Sequence, residues 1–286
     1  MGLISMENQQ NPLSKYFRQP EIYIKLPSEG KYWDEGSLDL GVTGEIPVYP
    51  MTTKDEITLK TPDALLNGEG VVAVIKSCCP NIKDPWKMPS VDVDYVLIAI
   101  RIASYGHELK FDSKCPKCGE ISTYGQDMRP MLESIKSGNY DRPIKVDNLT
   151  FKFKPQKYFE LNTSNQIQFE EQKTLQMLED PNLDETVKKL RVKENLERLL
   201  DLNYKTLVYS TENITTEDGT IVEDQKMIME FYQNTSATVI KAVQENLKNL
   251  GSDSNLKPFK IKCNNCGNEY ETKFEFDYAS FFELGF

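Results

Sequence analysis

The sequence predicts an α+β protein in which short strands and buried helices form one mixed domain and a mainly helical insertion separates two distant hairpins. Three observations carry this. Short stretches such as "EIYIKLP" from Glu21 and "EIPVYP" from Glu45 alternate apolar and polar residues at the period of a strand. Longer stretches, "GVVAVIKSCC" and "SVDVDYVLIAIRIASYG", are apolar nearly all round, as buried helices are. The motif Lys-Cys-x-x-Cys-Gly occurs twice, at Lys114 and at Lys262, each time between alternating segments.

Taken in chain order, residues 1–20 are polar and rich in Asn and Gln, which suggests an arm that is extended or gains order only through a partner. Two short strands follow, with a turn at Gly41–Gly44. A helix should begin after Pro50, with Thr52 or Thr53 as its N-cap and Asp55 or Glu56 in its first turn, and another at Pro62. Of the two buried helices, Ser90 should cap the second and Gly106 end it. "IKVDNLTFKFKP" is strand-like. Beyond it the chain turns helical and charged, with Asn182 and Glu185 as a capping box and an apolar stripe from Val187 to Leu207. "NITTEDGTIVED" predicts a hairpin turning at Asp218-Gly219, and a last helix should run from Ser236 to Leu250 and stop at Gly251. The expected division is an arm at 1–20, a discontinuous domain at 21–149 and 256–286, and an insertion at 150–255.

The doubled motif is the strongest chemical signal. Two Cys-x-x-Cys turns that face one another supply four thiolates, the ligand set of a tetrahedral structural Zn²⁺. Glycine after each second cysteine suits a turn that needs positive φ. Cys115, Cys118, Cys263 and Cys266 are therefore expected to form one Cys₄ zinc ribbon, with one structural ion per chain fastening two segments distant in sequence. A redox Cys-x-x-C would open a helix after a strand, whereas strand-like residues flank both pairs here. Cys78 and Cys79 end an apolar helix and are expected to pack as buried thiols. His107 is expected at the surface or held by a hydrogen bond, not as a ligand.

Composition narrows the function. The 286 residues are 39% hydrophobic and carry a net charge of −10. That charge opposes phosphate, and the lysines around both hairpins alternate with acids, so no nucleic-acid partner is expected. The longest apolar run, Tyr95 to Ala103, is too short to span a bilayer and includes Arg101. The start lacks a secretory pattern, and six cysteines without one suggest folding in a reducing cytoplasm. No phosphate loop, nucleophile elbow or metalloprotease helix is present, and no enzyme is expected.

"IKLPSEGKYW", then "GEIPVYPMTTKDEITLKTPDALLNGEGVVAVIKSC", resembles the baseplate-hub family of contractile-tailed, T-even-like bacteriophages. The resemblance covers about residues 21 to 125, with the second knuckle and "DYASFFELGF" as its closing part. It implies a non-enzymatic structural or assembly protein, present in the host cytoplasm during assembly and in the virion tail baseplate, that docks on other baseplate hub proteins or on the tape-measure protein. The terminal aromatics Tyr278, Phe281, Phe282 and Phe286 either fold onto the chain's own core or insert into a neighbour. The competing expectation is a zinc-ribbon adaptor of a nucleic-acid-associated complex.

Overall fold

A computed structural model of the protein describes residues 11–61, 67–178, 184–252, 256–272 and 282. Its first core is assembled from the amino-terminal strands and helices. Strands β1 (Ile22–Ile24) and β2 (Ile46–Val48) pair antiparallel with Ile24 opposite Ile46, and both of these side chains are buried. Helix α1 (Thr53–Leu59) opens with a reciprocal capping box between Thr52 and Asp55, one of the two expected caps. Helix α2 (Glu69–Cys78) buries Val71, Val74, Ile75 and Cys78, and Cys79 behind it is buried too. Helix α3 (Ser90–Tyr105) lies at the centre, with Val96 to Ile100 wholly enclosed. Gly106, at φ 83°, ends it as expected. Ser90 does not cap it. The N-cap is Pro89, and the Ser90 amide donates instead to the Gln156 carbonyl at 2.7 Å.

Helix α3 also carries a carboxylate into this core. Asp92 is buried and accepts from the Ser28 amide at 2.9 Å, the Ser28 hydroxyl at 2.5 Å and Trp33 Nε1 at 2.9 Å. One side chain thereby folds the loop after β1 into a tight coil, in which Glu29 and Tyr32 adopt left-handed backbone at φ 54° and 66°. From that coil Lys31 pairs with Asp141 at 2.8 Å, and the Tyr32 ring meets Tyr140 edge-on at 5.8 Å.

A second core lies beyond residue 138. Strands β5 (Ile144–Val146), β6 (Leu149–Phe153), β7 (Thr211–Thr215) and β8 (Ile221–Val222) form one antiparallel sheet in that order. Phe151 and Phe153 stack across its inner face at 5.9 Å, against helices α7 (Gln225–Asn234) and α8 (Ala237–Gly251). Tyr232 is fully buried, and its hydroxyl meets Thr211 Oγ1 at 2.7 Å. Thr211 spends its own proton on the Leu207 carbonyl, so Tyr232 is the donor to it. The hairpin turning at Gly219, φ 88°, is present as expected, but it completes a sheet begun by β5 and β6. Position 150 falls inside β6, and Val91 and Tyr140 join this second core. Ser236 caps α8, whereas Gly251 is its last helical residue rather than its stop.

After helix α4 (Arg129–Ser134) the chain enters this region through Gly138, which is buried against the end of α8. A Cβ there would drive into the Leu250 carbonyl, a backbone atom that cannot swing aside. Gly138→Ala should therefore cost on the order of 1–3 kcal/mol by overpacking. A lower melting temperature in a thermal scan would show it, and an unchanged one would mean that α8 shifts freely.

Helices α5 (Tyr158–Met177) and α6 (Glu185–Ser210) form an antiparallel pair. Tyr158 roots the pair in the first core by stacking on Trp86 at 5.5 Å. Along the pair, buried Glu171 meets Asn195 Nδ2 at 2.5 Å and Arg198 Nη1 at 2.7 Å, a polar layer that rewards one register. The N-cap of α6 is Asp184, whose carboxylate accepts from Thr186 and Val187; Asn182 and the helical start at Pro62 lie outside the described residues.

Part of the arm is ordered by the chain itself, contrary to the expectation that it needs a partner. Pro12–Tyr16 form a 3₁₀ turn. Arg18 then donates to the Pro50 carbonyl at 2.6 Å and to the Ser77 carbonyl and hydroxyl at 2.8 Å, with Asp55 at 3.4 Å. The Ser77 carbonyl belongs to the last turn of α2, where a guanidinium also meets the negative end of the helix dipole.

Candidate metal centre

Strands β3 (Glu108–Lys114) and β4 (Ile121–Asp127) pair in register, Lys114 opposite Ile121, and β9 (Phe259–Lys262) pairs with β10 (Glu269–Thr272), Lys262 opposite Glu269. Each hairpin turns through a Cys-x-x-Cys-Gly knuckle, and the two knuckles share one backbone design. The Cys115 amide donates to the Glu120 carbonyl and the Cys263 amide to the Asn268 carbonyl, both at 2.8 Å. Gly119 and Gly267 donate back to the carbonyls of Cys115 and Cys263 from φ 73° and 70°, the left-handed conformation for which glycine was expected.

The two knuckles face one another. Phe111 stacks on Phe259 at 5.6 Å, and the Tyr270 hydroxyl donates to Ser113 Oγ at 3.1 Å, so an apolar and a polar contact both hold the hairpins together. These four residues were not singled out from sequence, although each lies on a strand flanking a knuckle. The outcome is that the Sγ atoms of Cys115, Cys118, Cys263 and Cys266 all lie within 4.8 Å of one another. Cys115–Cys266 are 3.7 Å apart and Cys118–Cys263 3.6 Å. A tetrahedral ion with metal–sulfur bonds of about 2.3 Å needs sulfur–sulfur edges of about 3.8 Å, so this donor set fits such an ion.

The electrostatics also suit a cation. Burial alone would raise the Cys115 thiol, but the amides of Cys118 and Lys117 outweigh it and hold it at about 6. The Cys266 and Asn265 amides lower Cys263 in the same way against its burial. Cys118 gains from the Glu120 amide, yet burial and the neighbouring sulfurs push it up to about 11. Without a cation the sulfurs compete for charge; four thiolates coexist only around a positive centre.

The other cysteines lie apart from this cluster. Cys78 and Cys79 are buried in the first core, and burial pushes the Cys78 thiol up to about 12. His107 is exposed at the entry to β3 and contributes no ligand to the cluster. Of the terminal aromatics, Phe282 is buried in the first core, while Tyr278, Phe281 and Phe286 lie outside the described residues. No described helix is long and apolar enough to cross a membrane. A family model described as T4 bacteriophage base plate protein matches residues 19–283, a span that contains both knuckles and everything between them. No curated protein and no solved structure matches the chain.

Proposed function

The chain belongs to the family of T4 bacteriophage base plate proteins, and we propose on that premise that it is a non-enzymatic structural or assembly component of the baseplate hub, stapled by one Zn²⁺ on Cys115, Cys118, Cys263 and Cys266. The carrying observation is the extent of the family match, which takes in both hairpins and the helical middle together. Four sulfurs at tetrahedral spacing would fill the coordination shell of the ion and leave no position for a reacting water, so the metal serves as a structural tie. This chain's own part is to present two pre-turned knuckles whose amides lower the Cys115 and Cys263 thiols before the ion arrives.

In this reading the chain divides into an arm at 1–20, a discontinuous body at 21–149 and 256–286, and an insertion at 150–255 whose sheet also draws in the strand Ile144–Val146 from the body side of that boundary. It folds in the host cytoplasm and enters the tail baseplate by docking on other hub proteins, the tape-measure protein being a further candidate. The burial of Phe282 supports an internal role for that ring; Tyr278, Phe281 and Phe286 remain the proposed docking residues.

Mass spectrometry of purified tails and of baseplate intermediates, combined with removal of the chain from the infecting phage, tests the proposal. The expected result is the chain in one of those particles and a block in baseplate assembly without it. Normal tails in its absence would overturn the reading.

A further inference from the structure

We propose that hydrogen peroxide converts the four-sulfur cluster into two disulfides that cross between the hairpins, Cys115 to Cys266 and Cys118 to Cys263, so that a metal tie is exchanged for a covalent one. The metal tie rests on the zinc reading above; the pairing rests on exposure and spacing. Cys115 and Cys263 are buried, whereas Cys118 and Cys266 reach solvent. Each solvent-facing sulfur lies beside a buried one of the other hairpin: Cys118 is 3.6 Å from Cys263, and Cys266 is 3.7 Å from Cys115. One member of each pair can meet an oxidant in water while the other stands behind it. That is the arrangement of an attacked cysteine and its resolving partner.

The exposed thiolate attacks one oxygen of the peroxide and the O–O bond breaks. The other oxygen takes a proton from solvent and leaves as water, and the sulfur is now a sulfenic acid. The buried thiolate then attacks that sulfur, the S–O bond breaks, and the hydroxyl takes a second proton and leaves as water. Each pair thus gives up two electrons to one peroxide. The paired sulfurs carry no charge and no longer hold a cation.

Contacts outside the cluster decide which sulfurs meet. The Phe111–Phe259 stack and the bond from Tyr270 to Ser113 join the hairpins independently of any ion, so the opposed sulfurs still face one another once they cease to be ligands. Were the hairpins to part, each Cys-x-x-Cys turn would close on itself instead. Cys78 and Cys79, both wholly buried in the first core, offer no sulfur to solvent and should remain thiols.

The test treats the reduced full chain, loaded with zinc, with hydrogen peroxide. A chromogenic chelator follows released zinc, and mass spectrometry of the unreduced digest reads the linkages. The expected result is zinc release together with peptides joining Cys115 to Cys266 and Cys118 to Cys263, reversed by dithiothreitol and added zinc. In Cys263→Ser, Cys118 has lost its resolving partner and should end as a sulfinic acid, while the Cys115–Cys266 link still forms. Linkages within the knuckles, Cys115 to Cys118 and Cys263 to Cys266, would overturn the proposal. So would four sulfinic acids without any linkage, or a cluster that stays reduced in excess peroxide. If elemental analysis finds no zinc in the reduced chain, the metal reading fails by itself, and the digest of that same chain still decides the pairing.

Discussion

Cys263→Ser should abolish stoichiometric metal binding and loosen both hairpins, although the two lie far apart in sequence. The affected sulfur is buried and 3.6 Å from Cys118, and serine offers neither the soft donor nor the length to replace it. Structural zinc in small fingers contributes on the order of 10 kcal/mol of apparent binding free energy. Its loss here should be felt at β3–β4 as well as β9–β10, leaving the Phe111–Phe259 stack and the Tyr270–Ser113 contact to hold the junction. Elemental analysis should give one zinc per wild-type chain and none in the variant, with faster amide exchange over residues 108–127. Cys78→Ala should leave the zinc content unchanged, because that thiol sits in the first core. Retained zinc and unchanged exchange in Cys263→Ser would remove the site.

The second large effect belongs to Asp92. Burial pushes its carboxyl up to about 6 from an ordinary 3.8, against the lowering influence of the Ser28 and Trp33 hydrogen bonds. A group that holds its proton more tightly when folded stabilises the fold fully below its unfolded pKa. That contribution is lost as pH rises, so stability should fall between about pH 4 and 6 and then level off, by on the order of 3 kcal/mol from this group. Asp94, also driven up to about 6 by burial, adds in the same direction. Groups with lowered values, such as Asp127 at about 2 beside Arg129, act oppositely but only below about pH 4. Denaturant unfolding across pH 4–7 should show the decline, and Asp92→Asn should flatten it. An identical slope in the variant would mean that Asp92 does not titrate in this range. Asp92→Ala, which leaves the Ser28 and Trp33 donors without their acceptor, should cost on the order of 3 kcal/mol near neutral pH and more at pH 4, where the wild type gains from the protonated carboxyl.

The cysteine cluster was legible because its signal is local and repeated: two identical spacings, each with glycine where the backbone must turn left-handed. The buried helices were legible for a similar reason, since apolar residues all round α3 leave few other places for it. What could not be read depends on long-range pairing. Strands β5–β6 and β7–β8 are short, and α5 and α6 separate them, so nothing in either stretch announces that Phe151 lies opposite Ile214 in one sheet. Asp92 was invisible because "SVDVDYV" alternates like a half-exposed segment, and only its partners 59 and 64 positions away make an enclosed carboxylate tolerable. Arg18 was hidden too. An arginine in a polar arm looks solvated until the turn ending at Ser77 is placed beside it. The phrase that carried the family resemblance now has a physical content: "LPSEGKYW" is the coil that wraps Asp92.

The distance between the knuckles has a consequence for synthesis. A ribosome that has emitted the first hairpin has made only half of a donor set, and two thiolates hold an ion far less firmly than four. The four-sulfur set is complete only after Cys266 has emerged from the exit tunnel. Products broken off anywhere in the long helical middle would never acquire the tie, and their first hairpin would stay loose and open to proteases. If the cluster takes up an ion, that capture would report that translation has passed the second knuckle.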